Sequence, residues 1–258
     1  MRKLLIVGNW KMNLNASEAS LLVHRLGQAV KHHSDIEVVL APSHLTLQPL
    51  SLQIDRRKFR LAAQNAYFRD EGAYTGEVSF NMLRELVHYC LIGHSERRHI
   101  FHEDLPMVQA KMKSAIRNGI TPILCVGETA QERADGETRQ VLHDQLSTAL
   151  ANLTAKEVGE VIIAYEPVWA IGSGRLPVPA DVKTVAGYTR SLVGDVFGEG
   201  TGHSLRILYG GSVTPEVITS FLDGGDVDGF LVGGASLNYQ EFADIIDNAY
   251  TWQRSKGE

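Results

Sequence analysis

Tyr165-Glu166 closes the apolar run Val161-Ile162-Ile163-Ala164 and opens directly into Pro167-Val168-Trp169-Ala170-Ile171-Gly172-Ser173-Gly174. A carboxylate ending a buried strand at the foot of a small-residue loop suits proton abstraction from carbon, because shielding from water raises its basicity. Viewed singly, such a glutamate more often just ends a strand. His94 follows Cys90-Leu91-Ile92-Gly93 and precedes Ser95-Glu96-Arg97-Arg98, a pattern that predicts a short helical turn at another strand end. The positive end of a helix favours a neutral imidazole, which donates a hydrogen bond without carrying charge. Lys11, after Gly8-Asn9-Trp10, offers an ammonium for charge developing on a substrate oxygen, although a surface lysine is the commoner fate. Glu96, two residues beyond His94, is either the partner of Lys11 or solvated.

Three glycine clusters follow the sixth, seventh and eighth apolar runs: Gly172-Ser173-Gly174, Gly210-Gly211-Ser212 and Gly233-Gly234-Ala235. Glycine admits a phosphate close to the main chain, and successive amides then cradle the anion. None of the clusters is a dinucleotide fingerprint, and no Gly-x-x-x-x-Gly-Lys-[Ser/Thr] run occurs. His94, His99 and His102 do not form a zinc signature, and neither cysteine has a partner at ligand spacing, so no metal and no cofactor is expected. A carboxylate base, a neutral imidazole, a lysine and a phosphate cradle together make the equipment for moving a proton next to a carbonyl in a small phosphorylated substrate.

Eight short apolar runs must position these groups: Leu4 to Trp10, Glu37 to Ala41, Arg60 to Asn65, Tyr89 to Gly93, Pro122 to Val126, Val161 to Glu166, Leu205 to Tyr209, and Gly229 to Val232. Their near-continuous apolar character predicts parallel strands covered on both faces. Helical segments alternate with them. Asn15 with Glu18 reads as a capping box, and Asp104 before Leu105-Pro106 starts a helix that Asn118-Gly119 stops. Thr214-Pro215, and Asn238 with Glu241, are expected to start two more. Eight βα units without a long linker predict one (β/α)8 barrel spanning residues 1–258 as a single catalytic domain. An open doubly wound sheet is the runner-up. The barrel is favoured because polar residues end nearly all the strands, and only in a barrel do those ends share one mouth.

A net charge of −5 leaves no basic footprint for nucleic acid, and Arg56-Arg57-Lys58 is too short to make one. No stretch approaches membrane-spanning length, and Leu4-Leu5-Ile6-Val7, broken by Gly8-Asn9, is too short for a signal-peptide core. The only cysteines, Cys90 and Cys125, each lie inside an apolar run, which argues against a disulfide framework and for a reducing, cytoplasmic setting.

The motifs Gly8-Asn9-Trp10-Lys11-Met12-Asn13, Ala63-Gln64-Asn65, Gly72-Ala73-Tyr74-Thr75-Gly76-Glu77, Ile92-Gly93-His94-Ser95-Glu96-Arg97-Arg98, Cys125-Val126-Gly127-Glu128, Tyr165-Glu166-Pro167-Val168-Trp169-Ala170-Ile171-Gly172, Tyr209-Gly210-Gly211-Ser212-Val213 and Val232-Gly233-Gly234-Ala235 resemble, in order, those of the triosephosphate isomerase family. The resemblance spans almost the whole chain. It implies interconversion of dihydroxyacetone phosphate and D-glyceraldehyde 3-phosphate through an enediolate, a step of glycolysis and gluconeogenesis. By the same resemblance Glu166 is the base, His94 the neutral electrophile, Lys11 and Asn9 the electrostatic partners, and Glu96 the group that pairs with Lys11. Main-chain amides at Gly172, Ser212, Gly233 and Gly234 hold the phosphate, Cys125 and Gln64 support the site from beneath, and Pro167 to about Leu176 form a closing lid. The segment Gly172-Ser173-Gly174-Arg175-Leu176-Pro177-Val178-Pro179 departs from the family's pattern, with Ser for Thr, Arg for Lys and two prolines near the hinge. Thr75 matches the loop tip that reaches into a neighbouring subunit, so a homodimer is implied. Two other readings remain open: an isomerase of a four-carbon ketose phosphate on the same barrel, and a non-catalytic phospholigand-binding barrel.

Overall fold

A computed structural model describes residues 2–31, 34–171 and 176–256. Eight strands form: β1 (Leu4–Asn9), β2 (Ile36–Ala41), β3 (Phe59–Ala63), β4 (Tyr89–Ile92), β5 (Thr121–Val126), β6 (Ile162–Tyr165), β7 (Arg206–Tyr209) and β8 (Gly229–Val232). Each lies within two residues of an expected apolar run. All pair in parallel in sequence order, and β8 returns to β1 in the register Leu5↔Gly229, which closes the barrel and rules out the open sheet.

Apart from Asn9, Glu37, Arg60, Thr121 and Arg206 the strands are apolar, because both of their faces are buried. Leu5, Val7, Val39, Ala41, Leu91, Ile123, Ile162, Ala164 and Leu208 pack together in the lumen. Their neighbours Leu4, Ile6, Val38, Leu40, Ile163 and Ile207 pack outward against helix residues such as Leu22, Leu26 and Phe242. Continuing the inward parity past the strand ends gives Asn9 and Lys11 on β1 and Glu166 on β6, so the lumen's own alternation delivers these three to the mouth.

Three helices begin where their caps predict. Asn15 Oδ1 accepts from the Glu18 N–H at 3.0 Å, and Glu18 Oε2 accepts from the Asn15 N–H at 2.8 Å, opening the helix Ala16–Ala29. Asp104 accepts from the Met107 N–H at 2.8 Å before Leu105–Arg117, with Asn118 as the C-terminal cap. Asn238 accepts from Gln240 and Glu241 at the start of Tyr239–Ser255. Thr214-Pro215 is a correction: the helix there runs Ile218–Gly224, three residues later than expected. The Val217 N–H donates to Thr214 O at 3.2 Å, so the Thr-Pro pair closes a turn whose first residue lines the mouth instead of opening a helix. Past the loop after β6, Pro179–Phe197 starts with proline in its first turn and Val178 at the cap, with no side-chain hydrogen bond there. Among the described residues no helix is long and apolar enough to cross a membrane.

Candidate active site

A cavity of about 380 Å³ opens at the carboxyl ends of the strands and is lined by Asn9, Lys11, His94, Glu166, Ser212, Gly233 and Gly234, among others. Its size falls at the small end for ligand sites. Thus, of the site residues expected from the sequence, all but two line one cavity: Glu96 reaches it through Lys11, and Gly172 lies outside the described residues.

Glu166 extends β6 by one residue on the inward parity, and its N–H donates to Val126 O at 2.7 Å, which fixes the main chain under the carboxylate. The side chain is buried. Oε1 lies 2.9 Å from His94 Nε2, and Oε2 accepts from the Ser95 N–H at 2.9 Å. Burial pushes the carboxyl pKa up, but His94, the Ser95 N–H and the Arg98 guanidinium outweigh it and hold the group below the ordinary carboxylate value.

Gly93 has φ +69°, a left-handed turn that ends the β4 pleat and brings His94 to the mouth at the start of the short helix Ser95–His99. The Glu96 N–H donates to His94 Nδ1 at 3.2 Å, which assigns the imidazole proton to Nε2, facing Glu166. Burial pushes the imidazole pKa down, while the Glu166 and Glu96 carboxylates push it up, and upward is the net direction as long as Glu166 stays in contact. Departure of Glu166 toward a substrate removes the largest upward influence.

Lys11 Nζ lies 2.7 Å from Glu96 Oε1, which decides between the two readings of Glu96 in favour of pairing. The Lys11 backbone is left-handed at φ 53°, a conformation disfavoured for a residue with a Cβ. Two bonds hold it there: its N–H donates to Asn9 Oδ1 at 3.1 Å, and Gln64 Nε2 donates to Lys11 O at 2.8 Å and to Ala41 O at 2.8 Å. Gln64 thus sits beneath the site. Cys125 lies in the lumen, where burial raises its thiol well above the ordinary value and makes it a packing residue.

The glycine loops face the same space. Gly233 and Gly234 open a 3-10 turn, Gly234–Leu237, closed by the Ser236 N–H and Oγ donating to Gly233 O at 2.9 and 2.6 Å. Lys11 Cε is 3.8 Å from where a Cβ on Gly233 would stand, so the ammonium stem borders this loop. A Cβ on Gly210 would stand 3.0 Å from Glu166 Cγ, so β7's end borders the carboxylate. Main-chain amides and an ammonium at one wall, a carboxylate and an imidazole at the other, suit an anionic ligand with a reactive carbon beside it.

The start of the loop after β6 is anchored by Glu128, which follows β5 and is fully buried. Its carboxylate accepts from Tyr165 Oη at 3.1 Å and Trp169 Nε1 at 3.0 Å, and its carbonyl accepts from the Val168 N–H at 3.0 Å. Arg133 lies 4.3 Å over the Trp169 ring and pairs with Asp181 at 2.7 Å. Sequence reasoning missed the Ser95 N–H, since a main-chain donor has no side-chain signature; its place at a helix N-terminus is the available signal.

A family model described as Triosephosphate isomerase matches residues 4–249. The chain is 43% identical over 249 residues to the triosephosphate isomerase of Dehalococcoides mccartyi, covering 96% of this chain and 97% of that one. It is 42% identical over 248 residues to that of Clostridium botulinum, and 42% over 251 residues to that of Chloroherpeton thalassium. In both cases 96% of this chain and 100% of the relative are covered.

Proposed function

The chain belongs to the triosephosphate isomerase family and is an isomerase of dihydroxyacetone phosphate and D-glyceraldehyde 3-phosphate, and we propose that Glu166 moves the proton. The observation that supports this reading best is the convergence of Glu166, His94 and Lys11 on one cavity rimmed by glycine amides. In the proposed scheme the phosphate binds the amides of Gly172, Ser212, Gly233 and Gly234. Glu166 leaves His94 and Ser95 for the substrate carbon and sheds the donors that hold its pKa down, so burial then raises its basicity. It takes a proton from one carbon and returns it to the next. His94 passes its Nε2–H to one enediolate oxygen and takes back the hydroxyl proton of the other, so the imidazole ends neutral, and Lys11 and Asn9 stabilise the oxygen charge. Glu96 orients Lys11. Residues 1–258 act as one catalytic domain.

A coupled assay with each triose phosphate tests the activity. Faster turnover of a four-carbon ketose phosphate in the same assay would replace the substrate, and binding of both without turnover would leave only a phospholigand barrel.

A homodimer and a cytoplasmic location belong to the same proposal. The exposed Met12, Leu45, Tyr74, Met82, Ile100 and Phe101 lie on the loops and helices that follow the adjacent strands β1 to β4, as the exposed Thr75 loop does. Arg98 Nη2 is buried without a hydrogen-bond partner among the described residues. An apolar surface with a waiting guanidinium suits an isologous contact. Light scattering at micromolar concentration should give twice the chain mass; a monomer would overturn it. The free, buried thiols of Cys90 and Cys125 accord with a reducing compartment.

A further inference from the structure

We infer that Gln145, on the outer helix Thr138–Leu150, is a positioning residue for Glu166, acting through the main chain of Gly127. This rests on Glu166 as the base. Gln145 lies in the apolar stripe Leu142, Leu146, Ala149 of its helix, where a polar side chain is costly unless fully bonded. Both ends of its amide are bonded, and to the same residue. The Gly127 N–H donates to Gln145 Oε1 at 2.8 Å, and Gln145 Nε2 donates to Gly127 O at 3.1 Å.

Gly127 is the point where the chain beyond β5 touches the chain beyond β6. A Cβ there would stand 1.9 Å from Glu166 O, so the two main chains meet with nothing between them. On either side the segments are tied together: the Glu166 N–H donates to Val126 O at 2.7 Å, and the Val168 N–H to Glu128 O at 3.0 Å. Gly127's own polar groups take no part in those ties and are satisfied by Gln145, with Arg98 Nη1 a second donor to the carbonyl at 3.3 Å. Without Gln145 the Gly127 N–H is buried and unpaired. The loop must then shift to find a partner, and the glutamate's backbone shifts with it. A helix on the outside of the barrel thereby sets where the base stands inside its mouth.

Gln145→Met and Gln145→Leu, assayed beside Glu166→Asp, test this. Either folded variant should lose about tenfold in kcat, as a base displaced by a fraction of an ångström does, with KM for D-glyceraldehyde 3-phosphate within about twofold. Added to Glu166→Asp, the same change should cost less than about threefold further, because both alterations act on one carboxylate's position. A kcat loss under about threefold, a loss carried in KM, or full additivity with Glu166→Asp overturns the inference and leaves the base assignment standing. Undiminished turnover in Glu166→Asp overturns the base assignment itself, and Gln145 with it. Should neither Gln145 variant fold, hydrogen exchange on the unaltered chain decides. A Gly127 amide that exchanges as slowly as the β5 strand supports the clamp, and one as fast as the exposed loops refutes it.

Discussion

Glu166 Oε1 stands 2.9 Å from His94 Nε2, so the carboxylate and the imidazole satisfy one another before any substrate arrives. Each is buried, and each would carry an unpaired polar atom if the other were removed. Binding therefore has to offer both groups better partners at once. A substrate with an acidic C–H beside a carbonyl does so, giving the carboxylate a proton to take and the Nε2–H an oxygen to reach.

We predict that Glu166→Asp, which withdraws the carboxylate by one methylene, lowers kcat by about 100-fold or more while KM moves only a few-fold. Steady-state kinetics in both directions measure it. Unaltered turnover would exclude Glu166 from the chemistry.

For His94 the expected state at pH 7, with a non-reacting phosphate analogue bound and Glu166 drawn away, is a neutral ring protonated at Nε2. The Glu96 N–H donating to Nδ1 and the burial of the ring both favour it. Nitrogen NMR of the labelled ring distinguishes this from an imidazolium, which would contradict its use as an uncharged donor.

Gln64→Leu should lower stability by about 1 to 2 kcal/mol, since the Lys11 carbonyl loses its donor and the left-handed turn at Lys11 loses a restraint. The same variant should reduce kcat/KM, because the ammonium is no longer held beside Glu96. Urea titration and kinetics on one preparation read both; an active variant of parental stability would contradict the claim.

His44 offers a pH dependence of defined sign. Burial pushes its imidazole below the ordinary value, against the Asn65 carbonyl it contacts at 2.7 Å and the Glu77 carboxylate; Arg97 adds to the downward push. A depressed histidine protonates first in the unfolded chain, so its contribution is intact above about pH 6.5 and shrinks as pH falls toward the lowered folded value. His88 and His99 shift the same way. Melting temperature should therefore fall as pH drops below about 6.5, and His44→Gln should make that fall shallower without abolishing it. An unchanged slope would show that His44 takes no part.

Val178→Thr should stabilise the fold by about 1 kcal/mol by supplying the cap that the helix Pro179–Phe197 lacks. Val178 is exposed and has φ −77° and ψ 149°, already suited to capping. If turnover needs that loose helix end, kcat will fall as the melting temperature rises; calorimetry and kinetics together separate the two effects.

Much of the barrel was legible because its physics is written in side chains. Parallel strands buried on two faces leave eight apolar runs, and inward parity carries Asn9, Lys11 and Glu166 past the strand ends to one mouth. Caps built on side chains, at Asn15, Asp104 and Asn238, were equally visible. Thr214-Pro215 misled because a threonine before proline serves a turn as well as a helix start, and only the surrounding loop decides. The Ser95 N–H and the Gly127 peptide were hidden for a different reason, as main-chain groups are the same at every non-proline residue. Gln145 did leave a trace, a lone amide in an apolar stripe.

The packed lumen beneath the site has a kinetic consequence. With Leu5, Val39, Leu91, Ile123 and Leu208 plugging the interior, the barrel is stopped beneath the cavity, and the molecule that enters at the mouth must leave by the way it came. Reactant and product then queue for the same opening in either direction of flux, so anything that jams the doorway stops the forward and reverse traffic alike.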